Sequence, residues 1–342
     1  MTATENKQIC LVTGATGFIG SSLVELLLEK GYVVRIICRK TSKMDNLQVV
    51  EDKIEKFYAD LTDPSDLKAA LADVHYVYHV AGVVSAPDYE TYKKVNVDGS
   101  RIMAEAAIEY ASNTLKCFVL VSSQAASGPS PKDKVKTEAD ESNCVSDYGQ
   151  SKREGELAVI ETFEKKGKGL SWAMVRPPAV FGERETGMYA VFKALKKGLD
   201  PVFGFCPIMQ LNVVYVKDLI RGIYTVATHE KADHEIFNIA DPKLYKMTDV
   251  TKLMKNALGK KFTIKLYFPL WLLMTVAYIT AFFAWMFNFK TELTLERAKV
   301  FKIRRWTYDV SKAKELLNFE CDTQLEIALQ NTADWYKKHG WL

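Results

Sequence analysis

Val12-Thr13-Gly14-Ala15-Thr16-Gly17-Phe18-Ile19-Gly20 is the stretch on which the reading of this chain turns. An apolar run, Gln8 to Val12, leads into it, and an amphipathic run, Ser21 to Lys30, leads out. The order predicts a strand, a glycine turn and a helix. Glycines at 14, 17 and 20 let the backbone turn sharply and approach a ligand with no side chain between. The helix start behind them offers unpaired N–H groups and a partial positive charge, which suits a pyrophosphate. A ligand-free βα turn could use the same glycines. Their place between a strand and a helix at the head of an α/β chain favours the binding reading.

Outward from the turn, short apolar runs alternate with helical patterns. Val33 to Ile37, Lys53 to Ala59, Val74 to Val80, Cys117 to Val121 and Ser171 to Arg176 read as strands. A long helix is expected from about Tyr89 to Ala111 and another from Ser146 to Lys166. Nearly all-apolar strands alternating with helices imply an α/β fold with a doubly wound parallel sheet, covered on both faces. Four segments are expected: a nucleotide-binding unit (1–180), a substrate lobe interleaved with the last sheet strands (181–265), an apolar helix (266–289), and a closing part of the lobe (290–342).

The second strand ends Ile37-Cys38-Arg39-Lys40, and the first carboxylate after it is Asp45. A dinucleotide fold that takes NAD places an Asp or Glu here for the ribose 2′-hydroxyl. Arg39 in that place suits the 2′-phosphate of NADP, so NADP(H) is the expected cofactor and NAD(H) the alternative.

The 342 residues carry a net charge of +4, with 48% hydrophobic and 26% charged residues. That charge is too small to argue for nucleic acid, and no basic helix or nucleic-acid motif accompanies it. The six cysteines have no CxxC spacing. Cys10, Cys38 and Cys117 fall in strand-like runs and read as buried free thiols, not as a disulfide framework or a metal site. Met1 to Lys7 is polar and lacks a signal-peptide core, so the catalytic part is expected on the cytoplasmic side.

Leu266 to Phe289 contains no charged residue. A helix starting near Pro269 could run 20 residues, long enough to cross about 30 Å of hydrocarbon. Yet Trp306 to Leu342 holds ordinary domain elements that belong with the rest of the chain. A monotopic helix lying in one leaflet satisfies both constraints. A spanning helix, a buried core helix and a homodimer interface are the alternatives. Residues 290 to 305 carry six Lys/Arg and two Glu, a basic flank suited to an anionic cytoplasmic leaflet.

Tyr148-Gly149-Gln150-Ser151-Lys152 sets Tyr and Lys four apart, one turn apart on one helix face. A lysine charge beside a phenol favours the phenolate and makes the hydroxyl a better proton carrier. The spacing recurs at Tyr89/Lys93, Tyr189/Lys193 and Tyr308/Lys312. Only the 148/152 pair opens a long helix after a strand that ends in a serine pair.

With these pieces in order, the chain resembles the extended short-chain dehydrogenases/reductases of the NAD-dependent epimerase/dehydratase superfamily. The likeness is greatest to the branch of 3β-hydroxysteroid dehydrogenases and dihydroflavonol reductases. It rests on the glycine turn, Asp60-Leu61, His79-Val80-Ala81-Gly82, Asn96-Val97-Asp98-Gly99, Ser122-Ser123, Tyr148 with Lys152, Arg176 to Gly182, and Val214 to Asp218. The resemblance implies a Rossmann-type sheet. It gives Asp60 and Leu61 to the adenine, Ala81 and Gly82 to close cofactor approach, and the Pro177 to Val180 backbone to the nicotinamide carboxamide. Tyr148 would be the general acid/base, Lys152 would bind the nicotinamide ribose, and Ser123 would hold the substrate oxygen.

His79 stands where many relatives carry Asn and reads as a structural strand-end residue. Gln124-Ala125-Ala126 replaces the Asp-Glu pair of nucleotide-sugar dehydratases, which speaks against dehydration and not against 4-epimerisation. The expected activity is reduction of a ketone, or the reverse oxidation, on a lipid-like molecule such as a 3-ketosphingoid base, a keto-ceramide or a 3-ketosteroid. A nucleotide-sugar 4-epimerase and a non-catalytic NADP-binding scaffold are the alternatives.

Overall fold

The computed structural model describes residues 7–61, 63–204, 208–287 and 302–342; for 64, 65 and 281–287 only the backbone is described. The chain opens with β1 (Ile9–Thr13), the glycine turn and α1 (Phe18–Glu29). It continues through β2 (Val33–Cys38), β3 (Ile54–Tyr58), α2 (Lys68–Leu71), β4 (Tyr76–His79), α3 (Tyr89–Tyr92) and α4 (Gly99–Ala111). Next come β5 (Cys117–Val121), α5 (Asp147–Lys166), β6 (Trp172–Arg176) and β7 (Ala179–Phe181). α6 (Gly187–Lys196), β8 (Leu199–Phe203), β9 (Gln210–Leu211), β10 (Val213–Tyr215), α7 (Val216–Thr228) and β11 (Glu235–Asn238) follow. The last part holds β12 (Tyr245–Lys246), α8 (Met247–Ala257), β13 (Ile264–Phe268), α9 (Leu270–Phe287), β14 (Arg305–Trp306), and helices over Ser311–Leu317 and Leu325–Lys338.

Seven strands form one parallel sheet in the order β11-β6-β5-β4-β1-β2-β3. β11, from the 181–265 segment, completes the sheet begun in the first half. Alternate residues of each strand feed two cores. Cys10 and Val12 of β1 face one layer, which includes α1 and α7; Leu11 faces the other, which includes α4 and Phe163 of α5. Burial on both faces is why these strands read as unbroken apolar runs. The order reverses between β1 and β4, and the crevice at their carboxyl ends is where such sheets bind ligands.

The helix expected over 89–111 is interrupted. Lys93–Asp98 forms a wide π-type turn between α3 and α4. The turn presses its Asn96 carbonyl against α5, where a Cβ on Gly155 would come within 2.4 Å of it. The apolar stretch also departs from expectation. Its first residues are strand: β13 pairs in parallel with β8. The helix behind it, α9, has 18 residues, and no helix among the described residues is long and apolar enough to cross a membrane. Packing gives the reason against a single crossing: Val250 and Met254 before the helix share one core with Ala313, Leu329 and Tyr336 after it. A crossing would set those flanks on opposite sides of a bilayer. Residues 288–301, which hold three of the six Lys/Arg of the basic flank, lie outside the described residues.

Candidate active site

The three glycines of the turn do different work. Gly14 has φ +68°, and a Cβ on it would lie 2.7 Å from the Ala81 nitrogen. A Cβ on Gly20 would lie 2.2 Å from the Gly14 carbonyl oxygen. The fold itself therefore excludes side chains at both places. Gly17 is the N-cap of α1, no side chain caps that end, and the first turn holds no acidic residue. The leading N–H groups of α1 thus face a cavity with their partial positive charge uncompensated, a cradle fit for a diphosphate.

That cavity, about 710 Å³, runs along the carboxyl edge of the sheet at the switch point. Gly14, Thr16, Gly17, Phe18, Ile19 and Gly20 line its middle. Arg39, Asp60 and Leu61 line it at the ends of β2 and β3, and Ala81 and Gly82 line it past β4. Ser123, Tyr148, Pro177 and Val180 complete it. Lys152 is absent from the wall. Lys152 is buried behind it and donates from Nζ to the Val121 carbonyl at 2.8 Å.

Small residues bring α5 to the end of β5. A Cβ on Gly149 would sit 2.5 Å from the Ala125 carbonyl oxygen, so the helix start packs directly on the turn after the serine pair. Ser146 caps α5 by accepting from the Gly149 N–H at 3.1 Å. Asn96 ties the same helix to the loop past β4. Its side chain bonds both the N–H and the carbonyl of Val83, at 2.8 and 3.0 Å, and donates to Ser151 Oγ at 2.9 Å.

The serine pair divides its duties because neighbouring residues leave a strand on opposite faces. The Ser123 hydroxyl is hydrogen-bonded to the Tyr148 phenol. The Ser122 hydroxyl donates to Glu156 Oε1 at 2.6 Å. Glu156 lies one turn beyond Lys152 and is wholly buried. Arg176, at the end of β6, donates to both its carboxylate oxygens at 2.8 and 2.6 Å, and Arg153 donates at 3.0 Å. Burial pushes the Glu156 carboxyl up, but Arg176, Ser122 and Arg153 outweigh it and hold the group below the usual carboxylate range.

The electrostatics correct one expectation. Burial raises the Tyr148 phenol above its ordinary value, and the Ser123 hydrogen bond offsets only part of this. Burial drives the Lys152 ammonium down to about 8, with the Glu156 charge opposing the shift. The Lys152 ammonium, turned to the Val121 carbonyl, is not among the groups that shift the phenol. Tyr148 is thus held as a phenol, a proton donor aimed into the cavity. His79 is structural: its Nδ1 pairs with the Thr13 hydroxyl at 2.8 Å, and burial pushes its pKa down to about 3. Burial likewise raises the Cys10, Cys38 and Cys117 thiols, which are inert by that measure.

Sequence reasoning passed over several residues. Glu156 was findable, since it follows Tyr148 and Lys152 at two successive four-residue steps. Ser42, Arg184, Glu185 and Thr186 also line the cavity. Arg184 has φ +74°, unusual for a residue with a side chain, and its guanidinium reaches Ser21 Oγ at 3.1 Å and Glu25 Oε1 at 2.5 Å on α1. No local pattern marks that contact across the chain.

A dinucleotide fits these residues: a long crevice, an uncapped helix start, and a phenol–hydroxyl pair at one end. When bound, a nicotinamide supplies or accepts the hydride. At that end the Ser123 and Tyr148 hydroxyls are placed so that both can hydrogen-bond one carbonyl oxygen, with Lys152 behind them.

This chain belongs to the NAD dependent epimerase/dehydratase family, whose profile matches residues 10–240. It is 27% identical over 360 aligned positions to the ceramide reductase of Caulobacter vibrioides, covering 99% of this chain and 98% of that protein. It is 24% identical to the UDP-glucose 4-epimerase of Vibrio cholerae, over 94% of each. Among solved structures, the UDP-glucose 4-epimerase of Thermotoga maritima with UDP-glucose matches with a TM-score of 0.78 at 26% identity, covering 97% of this chain and 99% of that one. The family-level resemblance drawn from the motifs is thereby shown. Its members are NAD(P)-dependent enzymes, reductases and epimerases among them.

Proposed function

We propose that this protein is an NADPH-dependent ketone reductase acting on a lipid-like substrate, with a 3-ketosphingoid base or keto-ceramide as the leading class. Arg39 carries the reading. It lines the cavity at the end of β2, beside Ser42, and no carboxylate occurs from Ile37 to Met44. A guanidinium and a hydroxyl at the ribose suit a 2′-phosphate and an exchangeable NADP(H), as net reduction needs. Tyr148, loaded as a phenol, suits proton delivery to a carbonyl oxygen. The full-length similarity to a ceramide reductase and the exposed apolar surface around β13 and α9 support a lipid substrate, taken up at the cytoplasmic side of a membrane.

A UDP-sugar 4-epimerase is the competing reading, favoured by the likeness to two UDP-glucose 4-epimerases. The two separate on cofactor turnover. Detergent-solubilised protein with 3-keto lipids, 3-ketosteroids and UDP-sugars is expected to oxidise NADPH only with a ketone lipid. Interconversion of UDP-glucose and UDP-galactose without NADPH consumption would replace the reductase reading with the epimerase one.

A further inference from the structure

Four successive residues of β13, Ile264, Lys265, Leu266 and Tyr267, are exposed. Successive side chains of a strand point to opposite faces: Ile264 and Leu266 fall on one, and Lys265 and Tyr267, on the other, border a cleft against α8. Phe262 before it is 88% exposed, and Trp271 and Tyr278 on α9 are 69% and 60% exposed. Trp271 and Tyr278 are seven apart, hence two turns apart on one side of α9, opposite the buried Leu273 and Ala277. Soluble chains rarely leave so many large apolar side chains together in water.

The charge around this surface is predominantly basic. From Val250 to Thr280 there is no carboxylate, and there are five lysines: 252, 255, 260, 261 and 265. A cleft of about 270 Å³ lies between β8, β13 and α8. Its charged lining is Lys252, Lys255 and Lys265 against Asp200 and Asp249, with Asp200 taken up by Lys255 at 4.0 Å.

We infer that β13 and the first turns of α9 form a docking face for an anionic lipid bilayer, with Lys252 and Lys265 set over the headgroup phosphates. Two features favour a bilayer as the occupant. Tryptophan and tyrosine are the side chains that settle at a membrane interface. A two-fold dimer through this face would set the excess lysine charge of one copy against that of the other. The inference deepens the lipid-reductase reading and rests on it for its purpose, since a substrate held in a leaflet requires the enzyme there. α6 links the cavity wall at Thr186 to β8, the partner of β13.

The test is flotation of the full chain with vesicles of phosphatidylcholine alone and with about 30% phosphatidylglycerol. Binding is expected only to the second and should weaken with salt. Trp271→Glu with Tyr278→Glu should abolish it, and Lys252→Gln with Lys265→Gln should weaken it about twenty-five-fold, near fivefold per charge. These positions are exposed, so the melting temperature should not move. No flotation with either vesicle overturns the inference. So does binding of inorganic phosphate without vesicle binding, or a dimer in sedimentation that Trp271→Glu dissociates. Reduction of a water-soluble short-chain ketone reads the chemistry separately. If that activity is absent while flotation holds, the reductase reading fails and the docking face stands.

Discussion

The Glu156 carboxylate and the Arg176 guanidinium meet at 2.8 and 2.6 Å with essentially no exposure of either, one helical turn behind Lys152. They join the catalytic helix α5 to the end of β6. Removing one partner of a buried pair leaves an uncompensated charge. Glu156→Gln should therefore cost about 3–5 kcal/mol, and Glu156→Leu with Arg176→Met should recover most of it. Urea unfolding of the three proteins measures this; equal stability of the single and double variants would refute the pairing account.

The alkaline limit of activity should follow Lys152. Its ammonium is held at about 8 against an ordinary 10.5, so kcat/KM should fall as pH rises through about 8. The Glu156 charge raises that value, so Glu156→Gln should move the limb toward lower pH. Between about 8 and 10.5 the unfolded chain binds the proton and the folded one does not. The lysine's contribution is thus full above 10.5 and lost as pH falls through about 8. Lys152→Met should be more stable than the parent at neutral pH, with the gap closing toward 10.5. A constant gap across that range would count against burial as the cause.

Tyr148→Phe removes the proton carrier and keeps the ring, which packs 6.2 Å from Tyr92. The turnover number should drop by about 10²–10⁴. Cofactor binding, followed by fluorescence of the reduced nicotinamide, should change little. Full activity in this variant would remove Tyr148 from the chemistry.

Arg39→Ala should raise KM for NADPH and leave KM for NADH nearly unchanged. Loss of a charge-assisted hydrogen bond is worth about 1.5–3 kcal/mol, or roughly ten- to a hundredfold. Equal effects on both cofactors would take Arg39 away from the 2′-phosphate.

Gly17→Ala and Gly20→Ala should behave differently although they share a motif. At Gly17 the nearest obstacle to a Cβ is the Gly14 carbonyl oxygen at 3.2 Å, whereas at Gly20 it is that same atom at 2.2 Å. Gly17→Ala should melt close to the parent and bind cofactor about tenfold or more weakly, because the methyl enters the diphosphate cradle. Gly20→Ala should fail to fold stably. Thermal melts with and without cofactor separate the two.

Much of this molecule is legible in its sequence. Hydrophobic periodicity records burial, so strands buried on both faces announced the parallel sheet. The glycine spacing announced the turn, and Tyr148 and Lys152 sit on one face by helical geometry alone. The other Tyr–Lys pairs had the same spacing and met other fates. The Tyr308 hydroxyl donates to the Gly128 carbonyl at 2.5 Å, and that of Tyr189 to the Trp341 carbonyl at 2.6 Å. Spacing could not separate these cases; neighbouring elements did.

What the sequence determined by itself is local: the strand–turn–helix order, the shared face of α5, and the charge-free run after Lys265. What only the tertiary structure decided depends on groups distant in the chain. The register of β5 and β6 against α5 joins Ser122, Glu156 and Arg176. The wide turn at 93–98 lets Gly155 meet the Asn96 backbone. The core shared by Val250 and Leu329 rules out a single membrane crossing between them. Even the sign of the Tyr148 shift belongs to the fold. Spacing puts a lysine near a phenol, but burial raises that phenol, and the ammonium is turned to the Val121 carbonyl.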